Sequence, residues 1–314
     1  MAPCTRLESG LVRKVLLAIF LALPVFAQQQ DFSKVEIKVS KVAGTVYMLQ
    51  GSGGNIGVSV GDDGIVIVDD EFAPLAPKIR AALATITNKP IRFILNTHYH
   101  GDHTGGNTEF SKDGPIIAHE NVRKRLQSGT TALGRTTPPA PKEALPVITF
   151  NDSATVHLNG EDVRAIHMPH GHTDGDAVIW FTQSNVVHMG DDFFNGTFPF
   201  VDIDNGGSVR GMATNVESVV AQIRDDTKVI AGHGPLGDRA SLRAFGEMLR
   251  GSLAAVDAAM RAGKTLDQIK SEKVLAPWEK WGGGFITTDR WAETLVRELG
   301  GTVPAAAATS TQHH

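Results

Sequence analysis

The sequence predicts an α+β fold in which two β-sheets face each other and helices cover both outer faces. Three observations carry this expectation. Short runs rich in Val and Ile recur along the chain, and some, such as Ile65 to Val68, are apolar at every position, as a strand buried on both faces requires. Helical periodicity is confined to a few segments set between groups of strands, without the strict βα alternation of a doubly wound sheet. Gly 33 and Pro 15 follow no fixed period, which excludes collagen-like repetition.

The chain has 314 residues, of which 41% are hydrophobic and 20% charged, enough to bury a substantial core. The first residues are set apart from the fold. Arg13 and Lys14 precede an apolar run from Val15 to Phe26, and Val25-Phe26-Ala27 places small residues at the −3 and −1 positions of a cut after Ala27. That run is shorter than the ~20 residues of a membrane-spanning helix. Residues 1–27 are therefore expected to be a signal peptide, residues 31–302 the folded domain and residues 303–314 a disordered tail. The mature protein is expected in the periplasm or outside the cell, without stable membrane insertion. Cleavage would remove the sole cysteine, Cys4, leaving neither disulfide nor thiolate. It would also remove three cations and one anion, taking the net charge from −4 to −6. Such a surface has no basic surplus with which to bind nucleic acid.

Along the remaining chain, Val35-Ile37-Val39, Val46 to Leu49 and Ile56 to Val60 read as strands. The turn Gly61-Asp62-Asp63-Gly64 leads into the run Ile65 to Val68. Pro77 to Thr85 carries apolar residues at helical spacing, and Ile91 to Leu95 reads as a buried strand. A strand at Ile116 and Ile117 and a helix from Asn121 to Gln127 follow. Gly129 to Pro146, with four prolines, reads as a long mobile loop and a candidate lid. Strands resume at Val156, Val163 to Ile166, Ala177 to Phe181 and Val186 to Met189. Helices are expected at Val209 to Ile223, Arg239 to Arg261, Leu266 to Ser271 and Arg290 to Leu299, with a strand at Lys228 to Ala231.

The chemistry concentrates after the Ile91 to Leu95 strand, in Thr97-His98-Tyr99-His100-Gly101-Asp102-His103. Alternate residues of an extended segment point the same way, so His98 and His100 can converge on one ion. Gly101 permits a turn that sends Asp102 and His103 elsewhere, toward a second ion. Imidazole with carboxylate suits zinc, with iron or manganese as alternatives. Three further glycine-flanked segments each follow a strand: His170-Gly171-His172-Thr173, Gly190-Asp191-Asp192 and Gly232-His233-Gly234.

The H-x-H-x-D-H pattern of His98, His100, Asp102 and His103, with the later His172, Asp191 and His233, resembles the metallo-β-lactamase superfamily over essentially the whole mature chain. The resemblance implies a four-layer αββα sandwich. It also implies one metal held by His98, His100 and His172, a second held by Asp102, His103 and His233, and Asp191 bridging them. Asp69, which ends the Val66 to Val68 strand, would support a ligand from behind. His172 is preferred over His170, and Asp191 over Asp192, because Gly-His-Thr and Gly-Asp are the family's arrangements. His119, His157, His167 and His188 are expected to serve packing or surface roles.

The implied activity is hydrolysis of an amide or ester, such as a β-lactam or lactone, by a hydroxide shared between two zinc ions, with Asp102 orienting the nucleophile or passing a proton. The substrate would be a small molecule. The antibiotic-hydrolysing subclass with a cysteine ligand has that cysteine where Asp191 stands, and a lysine where Phe194 stands. Asp191 resembles instead the bridging residue of the family's thioesterases, lactonases, phosphodiesterases and sulfatases. Phe193, Phe194, Phe198 and Phe200 crowd the loop after Asp191 and would form an apolar wall over the metals, with Phe194 and Phe198 as candidate substrate-binding residues. Thioester, phosphate-ester or sulfate-ester hydrolysis, or oxidation at a single iron as in persulfide dioxygenases, are the alternative activities.

Overall fold

The computed structural model describes Met1, residues 31–132 and residues 134–303. The expected leader except Met1, Cys4, and the expected tail except Val303 lie outside the described residues. Among the described residues, those from Phe32 to Val303 gather into one compact unit. Among the described residues, no helix is long and apolar enough to cross a membrane.

The first sheet begins as an antiparallel meander of β1 (Lys38–Ala43), β2 (Val46–Gln50), β3 (Ile56–Gly61) and β4 (Gly64–Val68). Helix α1 (Ala76–Ala84) then returns the chain to β5 (Ile91–Leu95), parallel to β4. Two single-turn helices follow, α2 (Gly101–Thr104) and α3 (Asn107–Phe110), then β6 (Ile116–His119) and α4 (Glu120–Ser128). A small hairpin of β7 (Thr130–Ala132) and β8 (Arg135–Thr137) precedes β9 (Ile148–Phe150), the edge of the first sheet, whose order is β1-β2-β3-β4-β5-β6-β9.

The second sheet holds β10 (Ser153–Leu158), β11 (Glu161–His167), β12 (Ala177–Phe181), β13 (Val186–His188), β14 (Lys228–Ile230) and β15 (Gly237–Asp238), in chain order across the sheet. Helix α5 (Val209–Gln222) is inserted between β13 and β14. Helices α6 (Arg239–Arg261), α7 (Leu266–Ser271) and α8 (Thr288–Glu298) end the fold.

Period-two alternation builds the layers. In β4, Val66 and Val68 face the second sheet and pack with Val163, Ala165, Ile179 and Phe181, whereas Ile65 and Ile67 face outward onto Ile79 and Leu83 of α1. In β12, Ile179 and Phe181 point inward, while Val178 joins the outer cluster of Met212, Val216, Phe245, Leu249 and Trp291. A strand covered on both faces cannot alternate with polar residues, which is why Ile65 to Val68 is uniformly apolar. The result is the αββα sandwich.

Differences from the sequence reading are local. Gly129 to Pro146 is not structureless: it holds the β7–β8 hairpin and a 3-10 turn at Lys142–Ala144. The first strand starts at Lys38, because Phe32–Lys34 forms a 3-10 turn whose carbonyls, with that of Val35, accept hydrogen bonds from Lys78 Nζ. Strand β9 and the 3-10 segment Ala276–Gly283 have too few periodic residues to be seen in advance.

Phe198, expected at the site, belongs to the outer core. It is 1% exposed and stacks on Trp291 with ring centroids 5.3 Å apart. Trp291 in turn donates Nε1 to Ser252 Oγ at 3.0 Å. Trp291→Ala is therefore expected to lower the unfolding free energy by about 3–5 kcal/mol, measured by urea denaturation, while the metal content of the folded fraction stays unchanged.

Candidate metal centre

The seven expected ligands come together at one end of the sandwich, where strands of both sheets finish. His98 lies in a bend after β5, and His100, with extended backbone, then precedes α2, whose single turn carries Asp102 and His103. His172 lies in the β11–β12 connection, Asp191 in a 3-10 turn after β13, and His233 in the loop after β14. Their donor atoms form two groups: His98, His100, His172 and Asp191, and Asp102, His103 and His233, each with all donor atoms within 4.8 Å of one another. Asp191 faces both groups. Its Oδ2 is 3.4 Å from His172 Nε2, 3.9 Å from His98 Nε2 and 3.5 Å from His233 Nε2, and its Oδ1 is 3.1 Å from His103 Nε2.

Hydrogen-bond partners assign the protons on four of the five imidazoles. His172 Nδ1 lies 2.8 Å from the Phe200 carbonyl oxygen and must donate to it. His100 Nε2 lies 3.0 Å from Asp202 Oδ2, and His103 Nδ1 lies 2.8 Å from Asp69 Oδ2. Thr97 Oγ1 spends its own proton on Asp69 Oδ2, so His98 Nδ1 donates to Thr97 Oγ1 at 3.1 Å. In its neutral form each ring has a lone pair on its other nitrogen, and all four of those nitrogens point into the cluster.

This arrangement fits cations and little else. His172 Nε2 and His100 Nδ1 stand 2.7 Å apart, and His103 Nε2 and His233 Nε2 stand 3.4 Å apart. Two lone pairs at such distances repel unless a positive charge lies between them. His98 Nε2 is buried without a hydrogen-bond partner, which is costly in the absence of an ion. Backbone crowding keeps the cradle open: a Cβ at Gly54 would lie 2.1 Å from the His103 ring, and one at Gly232 would lie 2.0 Å from Asp191 Oδ1.

The electrostatics agree. Burial lowers His98 well below the ordinary histidine range and His172 to about 4, so both stay neutral and able to ligate. Burial also opposes charge on His103 and His233, but Asp191 and Asp102 outweigh it, with Asp69 adding to the effect at His103. His103 is held well above the usual range and His233 at about 9. Without metal, these two rings carry the protons that a metal ion displaces.

Each competing residue has a separate role. Asp192 points away from the donor cluster, its Oδ1 accepting from His172 N at 3.2 Å and its Oδ2 from Asn215 Nδ2 at 3.3 Å. His170 is exposed, with a left-handed φ of 52°, its Nδ1 lying 3.3 Å from the Gly206 carbonyl oxygen. His188 is buried between Asn55 O and Gly190 N. His119 caps α4 and stacks on His167 at 3.7 Å, and exposed His157 pairs with Asp162. Asp69 accepts from Thr97 N at 2.8 Å in addition to Thr97 Oγ1 and His103 Nδ1.

One residue, Asp202, emerges from the structure alone, and Phe200 of the expected apolar wall takes a definite place. Buried Asp202 accepts from His100, from the Tyr99 hydroxyl and from Asn205 Nδ2, and thereby turns His100 Nδ1 toward the cluster. Phe200, two residues beyond the buried Phe198, places its ring centroid 5.7 Å from those of both His100 and His172. Phe194 stacks on His233 at 5.1 Å and Tyr99 lies edge-on to His100 at 4.5 Å, so Phe194, Phe200 and Tyr99 all flank the ligands.

Comparison with known proteins agrees with this geometry. The model of the metallo-beta-lactamase superfamily matches residues 49–244. The chain belongs to that superfamily. It is 24% identical to a metallo-beta-lactamase type 2 of Bacteroides fragilis over 72% of this chain and 91% of that protein. It is 29% identical to a hydroxyacylglutathione hydrolase of Methylococcus capsulatus over 32% of this chain and 33% of that protein. Several curated relatives are matched over less than half of their own length. Among solved structures, a stereoselective inverting sec-alkylsulfatase from Pseudomonas sp. shares the fold, with a TM-score of 0.63, 19% identity and coverage of 84% of this chain and 50% of that one.

Because Asp191 faces both ligand groups, Asp191→Ala should lower the metal content of the purified chain by at least half, read by elemental analysis after dialysis. Metal content equal to wild type would show that Asp191 is not shared.

Proposed function

We propose that the chain is an exported hydrolase that holds two zinc ions at this centre and cleaves the carbonyl bond of a cyclic amide or ester, such as a β-lactam or a lactone. The observation that carries the reading is Asp191, a buried carboxylate set between two groups of converging lone pairs. His98, His100 and His172 would hold one ion, Asp102, His103 and His233 the other, and Asp191 both. When bound, the ions supply a water nucleophile ionised near neutral pH and a Lewis acid for the electrophile.

The protein's own groups set the rest of the chemistry. Asp102 is 31% exposed, more open than Asp191 at 5%, and its Oδ2 lies 3.2 Å from His233 Nε2. It is placed to orient the attacking water and to carry its proton toward the leaving group. Phe194 and Phe200 give the entrance an apolar lining that favours a substrate with an apolar body. No lysine stands at position 194 to grip a substrate carboxylate, so activity toward lactones is expected to exceed activity toward β-lactams.

The test joins metal analysis to a substrate panel of lactones, β-lactams, thioesters, and phosphate and sulfate esters. Two zinc ions per chain with lactone turnover is the expected result. Turnover confined to thioesters or to phosphate or sulfate esters would keep the centre and replace the substrate. A single iron per chain with oxygen consumption would overturn the hydrolytic reading.

Export belongs to the same proposal and rests on the leader at residues 1–27. Expressed with its leader in a bacterium, the protein recovered from the periplasm or medium should begin at Gln28 by intact mass. An N-terminus retained through residue 27 would refute it.

A further inference from the structure

We infer that Glu71 is a positioning residue for the second metal: its buried carboxylate clamps the β2–β3 turn that joins the carrier of Asp102 and His103 to the carrier of His233. The inference rests on the two-ion reading proposed above.

Strand β4 ends in three consecutive carboxylates, Asp69, Asp70 and Glu71, all with 0% exposure. Two of them stand in the left-handed region, Asp69 at φ 64° and Glu71 at φ 53°. Neither is glycine, so each conformation costs energy that the surrounding bonds must offset. Those bonds are specific. Asp69 serves Thr97 and His103, as described. Asp70 N donates to His103 O at 2.9 Å, and Asp70 Oδ1 accepts from Gly106 N at 2.9 Å. Glu71 turns the other way, toward the turn after β2, and its Oε2 accepts from Ser52 N at 3.0 Å and Gly53 N at 3.2 Å.

The clamped turn touches both carriers of the second ligand group. On one side Gly54 N donates to Asp102 O at 3.0 Å, and the space a Cβ on Gly54 would need is taken by the His103 ring. On the other side Asn55 N donates to Gly232 O at 2.7 Å, and Asn55 Nδ2 donates to Ala231 O and Gly234 O, each at 2.9 Å. Gln50 Nε2 adds a bond to Gly234 O at 3.2 Å. His233 is thus bracketed by backbone carbonyls that the turn holds. The three histidines of the first ligand group are fixed by other means: His98 by Thr97, His100 by Asp202 and His172 by Phe200 O.

Loosening the clamp should therefore be felt at one ion and not at the other. A backbone turn rich in glycine, Gly51-Ser52-Gly53-Gly54, has many conformations open to it, and two amide bonds to one carboxylate oxygen are what narrow them.

The test is a zinc titration of metal-free protein against a chromophoric chelator, resolving two binding steps. The steps are assigned with His172→Ala and His233→Ala, each of which deletes a ligand from one group. In Glu71→Met, which keeps the bulk and loses the acceptor, the second-group step is expected to weaken by ~10-fold or more while the first changes by less than about threefold. Glu71→Gln keeps an acceptor oxygen and is expected to restore the second step to near wild type. If Glu71→Met is recovered only as aggregate, Glu71→Asp replaces it, with the same split expected at smaller size. Equal affinities in wild type and variant, or equal weakening of both steps, would overturn the inference alone. A wild-type chain that binds one ion would overturn the two-ion reading and this inference with it.

Discussion

A buried imidazole can turn one lone pair on a cation only if its other nitrogen has a fixed acceptor, and the centre is built around that requirement. Four separate oxygens meet it: the Thr97 hydroxyl for His98, Asp202 for His100, Asp69 for His103 and the Phe200 carbonyl for His172. They come from the end of β5, two places in the loop after β13, and the end of β4, so both sheets must be in register before any ring is aimed. The cost of leaving lone pairs facing one another in a dry pocket falls on the folded state and is relieved by bound ions, which couples metal affinity to the integrity of the sandwich.

The outer layers carry stability and the strand ends carry chemistry. Trp291, Phe198 and Phe245 pack α5, α6 and α8 onto the second sheet, and none of the metal-facing donors belongs to that cluster. At the strand ends, glycines replace side chains where the backbone passes close behind Asp191 and His103, and non-glycine residues accept left-handed backbone at Asp69 and Glu71. Local preference is given up there to place a carboxylate.

The layers were legible in the sequence because burial on both faces leaves a mark that needs no partner: Ile65 to Val68 and Ala177 to Phe181 are apolar at every position. The residues brought together at the metal centre were legible for a different reason, since His, Asp and flanking Gly at strand ends form short local patterns. Asp202 had no such pattern. It stands about a hundred residues from His100, in a loop without periodicity, and its role exists only once the chain has folded. Which phenylalanines of the loop after Asp191 line the site was not legible on the same ground. In an irregular loop, two-residue spacing does not say which ring turns toward the core. Strand β9, three residues long, is defined by its partner β6 rather than by its own composition.

The bond from Asn205 Nδ2 to the main-chain oxygen of Thr131, at 3.0 Å, ties the β7–β8 hairpin to the residue that also holds Asp202. A tether to a peptide carbonyl is indifferent to side-chain identity. Changes to the hairpin's outward side chains can therefore leave this tether, and with it the ring of His100, undisturbed.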